Sequence, residues 1–330
     1  MKDTLEFLFG GGKLTRKEAA ENLRNISSES VSLEQMTAFT TVFRMRPIEV
    51  QELQGFRDTL LELRVPVDIE NKEAIDIVGT GGDEKNTFNI STTSAFVIAG
   101  AGYRVCKHGS YGVSSNCGSS NVLTELGYTF TADSAVLNRQ LDEAGICFFH
   151  APLFHPAMKA VVPMRKALKI KTFFNMLGPL VNPLQPDYQL FGTYNLELAY
   201  LYDALLKSEQ KKYTVVFAND GYDEISLTGT ASVFRPSGMQ ELSAEDFSLT
   251  KTKEVDLYGG ETPAEAGKIL TAVLSGQGTT SQTSVVLANA ALAIQTANAG
   301  ISLADAVSEA KESIDSGKAL NALKKLIETN

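Results

Sequence analysis

The sequence predicts an α/β protein: a small all-helical N-terminal domain followed by a large domain on a mostly parallel central sheet. Three observations carry this. The first 65 residues show helix-start signals and no strand-like run. After Pro66, short apolar runs alternate with helical patterns, as parallel sheets covered on both faces require. Glycine- and serine-rich stretches follow two of those runs, at the carboxyl ends of strands, where α/β folds place ligands. A length of 330 residues is enough for two domains. We divide the chain into residues 1–67, joined by 160–186, and residues 68–330.

In the helical part, Thr15 and Glu18 fit a capping box ahead of Ala19, Ala20 and Leu23. Ser32 and Gln35 fit a second helix start. Pro47 suits the first turn of a third helix, on which Leu53, Phe56, Leu60 and Leu63 form one apolar stripe. Such apolar faces need a second domain or a partner chain to cover them. In the larger part, Ala74 to Val78, Tyr103 to Cys106, Cys147 to Phe149 and Thr214 to Ala218 read as strands. Ser91 to Ala101 and Ser119 to Leu126 read as helices. Thr262, Pro263 and Glu265 open the helical tail, combining an N-cap, a first-turn proline and a capping-box glutamate. The segment from Pro156 to Pro186 reads as a helix and a crossover back toward the N-terminal helices.

Composition narrows the function classes. Apolar residues make up 43% of the chain and charged ones 21%, ordinary for a protein with a full core. The net charge of −9 argues against a non-specific nucleic-acid binder. The three cysteines, Cys106, Cys117 and Cys147, form no C-x-x-C pair, so neither a disulfide scaffold nor a cysteine zinc site is expected. No signal peptide and no membrane-length apolar run is legible, and a cytoplasmic protein is the expectation.

Four stretches carry chemistry. Gly79-Thr80-Gly81-Gly82-Asp83 follows a strand, and its glycines let backbone approach an anion; a plain tight turn fits the same residues. Asn89-Ile90-Ser91-Thr92 opens a helix, where such residues either cap it or help its free N–H groups bind phosphate. Lys107 to Ser115, followed by Ser119, offers a positive charge with hydroxyl and backbone donors. Two strand-to-helix loops of this kind suit a ligand with several phosphates. Asn219 to Glu224 places Asp220, Asp223 and Glu224 at a strand end. Three carboxylates there repel one another unless a cation joins them, and hard oxygens without nearby sulfur or imidazole point to Mg²⁺. Arg165 is a candidate carboxylate binder, or a helix-surface residue.

In this order, GTGGD, NIST, the KHG…SS…GS run, HPAMKAVVPMR, FFNMLGPLVNP and GYDEIS resemble the anthranilate phosphoribosyltransferases. The resemblance spans both helical ends of the chain. It implies the fold of the nucleoside-phosphorylase-like phosphoribosyltransferases and transfer of a phosphoribosyl group from 5-phosphoribosyl-1-pyrophosphate (PRPP) to the anthranilate amine. By position, Gly79, Gly82, Asp83, Thr87, Asn89, Ile90, Ser91, Thr92, Lys107, His108, Gly109, Ser110, Tyr111, Gly112, Val113, Ser114, Ser115 and Ser119 would bind PRPP. Gly79, His108, Ser110, Arg165 and Pro179 would face anthranilate. Ser91, Asp223 and Glu224 would hold Mg²⁺, as two ions. The resemblance also implies a homodimer joined through the helical domain, and no nucleic-acid or membrane partner. Two departures stand out. Ser110 replaces the family's usual Asn, and Ser120-Asn121 replaces the usual Ala-Asp. No residue is marked as a proton acceptor. A pyrimidine nucleoside phosphorylase-like enzyme and a non-catalytic nucleic-acid-binding relative are the alternatives. The FNMLGPLVNP and GYDEIS segments and the charge of −9 weigh against them.

Overall fold

The structure is a computed structural model describing residues 1–69, 71–112 and 117–329. Four helices come first: α1 Lys2–Phe9, α2 Arg16–Ser27, α3 Leu33–Met45 and α4 Val50–Glu62. Then follow β1 Ile75–Gly79, α5 Ile90–Gly100, β2 Val105–Gly109, α6 Ser119–Glu125, α7 Ser134–Ala144 and β3 Ile146–His150. The middle of the chain holds α8 Ala151–Phe154, α9 Val162–Leu168, α10 Phe174–Leu177, β4 Tyr188–Gly192 and α11 Leu196–Ser208. Next are β5 Lys212–Ala218, β6 Ala231–Arg235 and β7 Gly238–Leu242. The tail is α12 Pro263–Leu274, α13 Thr280–Ala297, α14 Leu303–Asp315 and α15 Lys318–Glu328.

The chain forms two units. One comprises residues 1–66 and 151–183; the other comprises 67–150 and 184–330. In the helical unit, the Thr15 capping box forms with both its bonds: Glu18 N–H donates to Thr15 Oγ1 at 3.3 Å, and Thr15 N–H to Glu18 Oε2 at 2.9 Å. Pro47 lies outside α4, contrary to the sequence reading. The helix starts at Val50 because Glu52, in its first turn, accepts from the Glu49 N–H at 2.9 Å. Glu52 is fully buried, yet satisfied: Arg46 grips both its oxygens at 2.6 and 2.8 Å, and the Leu14 N–H adds a bond at 2.9 Å. An aromatic cluster ties the later segment to the early helices. Phe173 stacks on Phe56 at 4.6 Å and meets the edge of Phe43 at 5.2 Å.

The other unit carries a 7-stranded sheet in the order β3-β2-β1-β4-β5-β6-β7. β1 to β5 are parallel, and β6 and β7 form an antiparallel hairpin on one side. The order reverses direction between β1 and β4, the switch point at which open α/β sheets leave a crevice. β2 runs farther than its sequence suggested, from Val105 to Gly109, because Lys107, His108 and Gly109 pair in register with Phe148, Phe149 and His150 of β3. The core packs α5 and α13 against the sheet. α13 is buried along Ser284 to Ile294, so it reads as apolar on all sides.

Candidate active site

The site grows from the carboxyl ends of β1, β2, β4 and β5. Gly79 of β1 and Gly192 of β4 stand opposite each other in register. The Asp223 backbone crosses over this pair: a Cβ on Gly192 would overlap the Asp223 carbonyl oxygen, and one on Gly79 its carboxylate. Paired glycines therefore bring the loop after β5 down onto the switch point. There Asp223 Oδ2 accepts from the Gly81 N–H at 2.6 Å. Gly81 and Gly82 hold positive φ of 67° and 82°, a turn in which the Gly81 amide meets Asp223.

Glu224 Oε1 accepts from the Ser91 N–H at 2.8 Å, at the start of α5. A carboxylate already sits where the helix dipole favours negative charge. Burial, and then the nearby Asp83 charge, push the Asp223 carboxyl up to about 7; burial and then Asp223 push Glu224 well above the usual range. A buried Asp223 and a half-buried Glu224, both raised in this way, mark a place where a cation would be stabilised.

Lys107 faces these carboxylates as a positive charge. The sequence placed it on a loop rim, but it lies within β2 and is only 1% exposed. Its Nζ donates to the Ile77 carbonyl at 2.6 Å and lies 3.5 Å from Ser91 Oγ. Burial lowers its pKa, while Asp76, Glu224 and Asp223 oppose the drop. Asp76, unremarked in the sequence, is fully buried in β1 and accepts from the His108 N–H at 3.1 Å. A carboxylate inside the apolar run AIDIV was the available signal for it.

The remaining predicted residues fall around this core. Asn89 starts α5, but its side chain does not cap the helix; Nδ2 donates to the Cys117 carbonyl at 2.9 Å, and Oδ1 is buried with no partner among the described residues. Ile90 is wholly buried beneath the turn. Thr92 donates to Ser119 Oγ at 2.8 Å, joining α5 to α6. Thr87 pairs with Tyr258 in an isolated bridge. Gly109 ends β2, Ser110 accepts at its carbonyl from the Ser120 N–H at 3.1 Å, and Tyr111 and Gly112 are exposed. Val113, Ser114 and Ser115 lie outside the described residues. Arg165 of α9 and Pro179 belong to the helical unit. Burial lowers the Arg165 pKa. The structure therefore gathers Gly79, Asp83, Ser91, Lys107, Asp223 and Glu224 into one cluster. Among the described residues no three His, Cys, Asp or Glu side chains form a closed metal cage. An open carboxylate pair is what Mg²⁺ uses when phosphate oxygens and water complete its shell.

Comparison with known proteins gives one answer along the whole chain. Residues 2–63 match the model of the glycosyl transferase family helical bundle domain, and residues 71–320 that of the family's a/b domain. The chain is 50% identical to the anthranilate phosphoribosyltransferase of Cytophaga hutchinsonii, covering 99% of this chain and 100% of that one. It is 48% identical to that of Bacteroides thetaiotaomicron, covering 100% and 99%. Among solved structures, the Thermus thermophilus anthranilate phosphoribosyltransferase superposes with a TM-score of 0.93 at 30% identity, covering 99% of each chain. The Saccharomyces cerevisiae enzyme in complex with PRPP and Mg gives 0.91 at 28% identity, covering 98% of this chain and 96% of that one. The same yeast enzyme is also known in complex with 4-fluoroanthranilate.

Proposed function

The chain belongs to the anthranilate phosphoribosyltransferase family of pentosyltransferases, and from that membership we propose how its own residues bind PRPP and pass the phosphoribosyl group to the anthranilate amine. The observation that carries the assignment of the site is the Asp223–Glu224 pair, which meets the Gly81 and Ser91 amides beside Lys107. A nucleoside phosphorylase-like reading is not favoured, since relatives near 50% identity over the full length carry the transferase name.

We assign PRPP to Gly79, Gly82, Asp83, Thr87, Asn89 to Thr92, Lys107 to Ser115 and Ser119, and Mg²⁺, as two ions, to Ser91, Asp223 and Glu224. The hard oxygen donors fit that ion. Mg²⁺, when bound, supplies positive charge against the diphosphate leaving group. Lys107, buried in β2 and donating directly to the Ile77 carbonyl of β1, adds a positive charge. The loop amides and the start of α5 orient the phosphates. The C1–O bond to diphosphate breaks, the C1–N bond to the aromatic amine forms on the opposite face, and the amine proton leaves to solvent. Preorganised charge does most of the work, and no side chain need act as base. Gly79, His108, Ser110, Arg165 and Pro179 carry over as the anthranilate residues. Arg165 suits the carboxylate.

No helix among the described residues is long and apolar enough to cross a membrane. We read the enzyme as cytoplasmic and homodimeric, with no nucleic-acid partner. The decisive assay is loss of anthranilate fluorescence on adding PRPP and Mg²⁺. Consumption that requires both is expected; turnover of a pyrimidine nucleoside with phosphate instead would overturn the assignment.

A further inference from the structure

One side chain outside the assigned site holds the backbone that presents it. Asn121 is the third residue of α6. Its Oδ1 accepts from the Gly118 N–H at 3.0 Å and from the Gly112 N–H at 2.9 Å. The first bond is an ordinary helix-start interaction, a third helical residue reaching back to the N-cap amide. The second is not. Gly112 precedes the helix start, on the outgoing side of the β2–α6 connection, so one oxygen fastens two separate points of backbone.

Those two points touch. A Cβ on Gly118 would overlap Gly112 N and lie 2.7 Å from the Tyr111 carbonyl carbon, so glycine is what allows the closure. The rest of the turn is secured independently. Ser120 N–H bonds the Ser110 carbonyl at 3.1 Å, Ser119 Oγ accepts from Thr92 at 2.8 Å, and Ser120 Oγ pairs with His150 Nδ1 at 2.8 Å. Removing the Asn121 side chain would leave α6 anchored and free Gly112.

We propose that Asn121 is a positioning residue for the phosphoribosyl donor. It fixes the backbone at Gly112 and Gly118, whose own N–H groups it occupies, so that the neighbouring donors of Tyr111 and Ser119 are set before PRPP arrives and less freedom is lost on binding. As a neutral amide it does so without placing a negative charge near the diphosphate. A carboxylate, the family's usual residue at this position, would accept the same two bonds and add a negative charge that salt screens. This inference rests on the reading of these loops as the PRPP site.

The test is steady-state kinetics on the full-length enzyme with Mg²⁺, for the parent, Asn121→Ala, Asn121→Asp and Asn121→Gln. The parent is assayed first; if it does not consume anthranilate with PRPP, the underlying reading fails and not this one. With an active parent, Asn121→Ala is expected to raise the KM for PRPP about tenfold, the loss of one or two neutral hydrogen bonds, with the KM for anthranilate and kcat nearly unchanged. Asn121→Asp should fall between parent and Ala, and its ratio to parent should shrink as salt screens the added charge. Asn121→Gln, whose oxygen is displaced by one methylene, should be worse than Asp; if the Ala variant does not fold, this order decides. The proposal is overturned if Ala leaves the PRPP KM within twofold of parent, if both KM values rise together, or if Asp is as impaired as Gln at every salt concentration.

Discussion

Gly192 shows how much a single residue decides. Its missing Cβ leaves room for the Asp223 carbonyl. Gly192→Ala must push backbone against backbone, so we expect a loss of about 1–3 kcal/mol in stability and of most activity, read by thermal unfolding and turnover. Ser110 and Arg165 provide a second test. A hydroxyl-for-carboxamide change alters at most one neutral hydrogen bond, about 0.5–1.5 kcal/mol, whereas a charge-assisted contact is worth about 1.5–3 kcal/mol. Arg165→Ala should therefore raise the anthranilate KM more than any change at Ser110, and Ser110→Asn should lower it modestly or not at all. The reverse order in steady-state kinetics would put the carboxylate elsewhere. Lys107, Asp223 and Glu224 were legible because charge at a strand end needs a reason. Asp76, Gly192 and Asn121 were not, because their roles exist only once β1, β4 and the β2–α6 connection meet in space.

At the scale of elements, the loop after β5 links site charge to pH. Asp223 is pushed up to about 7, chiefly by burial and then by Asp83. Between its ordinary value, about 4, and 7, the folded chain holds more protons than the unfolded one, so stability falls as pH rises through that window. A bound cation favours the charged pair and reverses this. Thermal unfolding should show a larger Mg²⁺-plus-PRPP shift at pH 8 than at pH 5.5; equal shifts would sink the coupling. In the helical unit, the fully buried Glu52 pairs with a partly exposed Arg46, and Glu52→Gln breaks the pair. Removing one partner of a buried pair costs about 3–5 kcal/mol, and because the Arg46 left behind reaches solvent the loss is expected at or below the low end of that range, measurable as a lower denaturant midpoint. Helix starts such as Thr15 and Thr262 were readable because a cap is a local bargain between neighbours in sequence. β4, β6 and β7 were missed. β6 and β7 form a hairpin beside the parallel sheet, and the exposed residues of β7 blur the apolar run on which strand reading depends.

For the whole molecule, the helical unit leaves apolar surface that its own helices do not cover. Phe7 and Phe9 on α1 are 50% and 66% exposed, and Leu33 and Met45, at the start and end of α3, 46% and 82%. α1 packs on α3, and α3 on α9, where Val162 is 40% exposed. Water-facing phenylalanine and methionine on touching helices are a cost that a second copy of the same surface would remove. A two-fold contact also lets one patch serve both subunits. A net charge of −9 does not prevent this, because long-range repulsion is screened within about 8 Å at physiological salt. Sedimentation velocity at micromolar concentration should therefore give twice the chain mass of 35.6 kDa. Phe9→Glu combined with Met45→Glu should shift the population to monomer while leaving helix content intact, since neither side chain is part of the core. A parent that sediments as a single chain, or a double variant that stays dimeric, would place the contact on another surface.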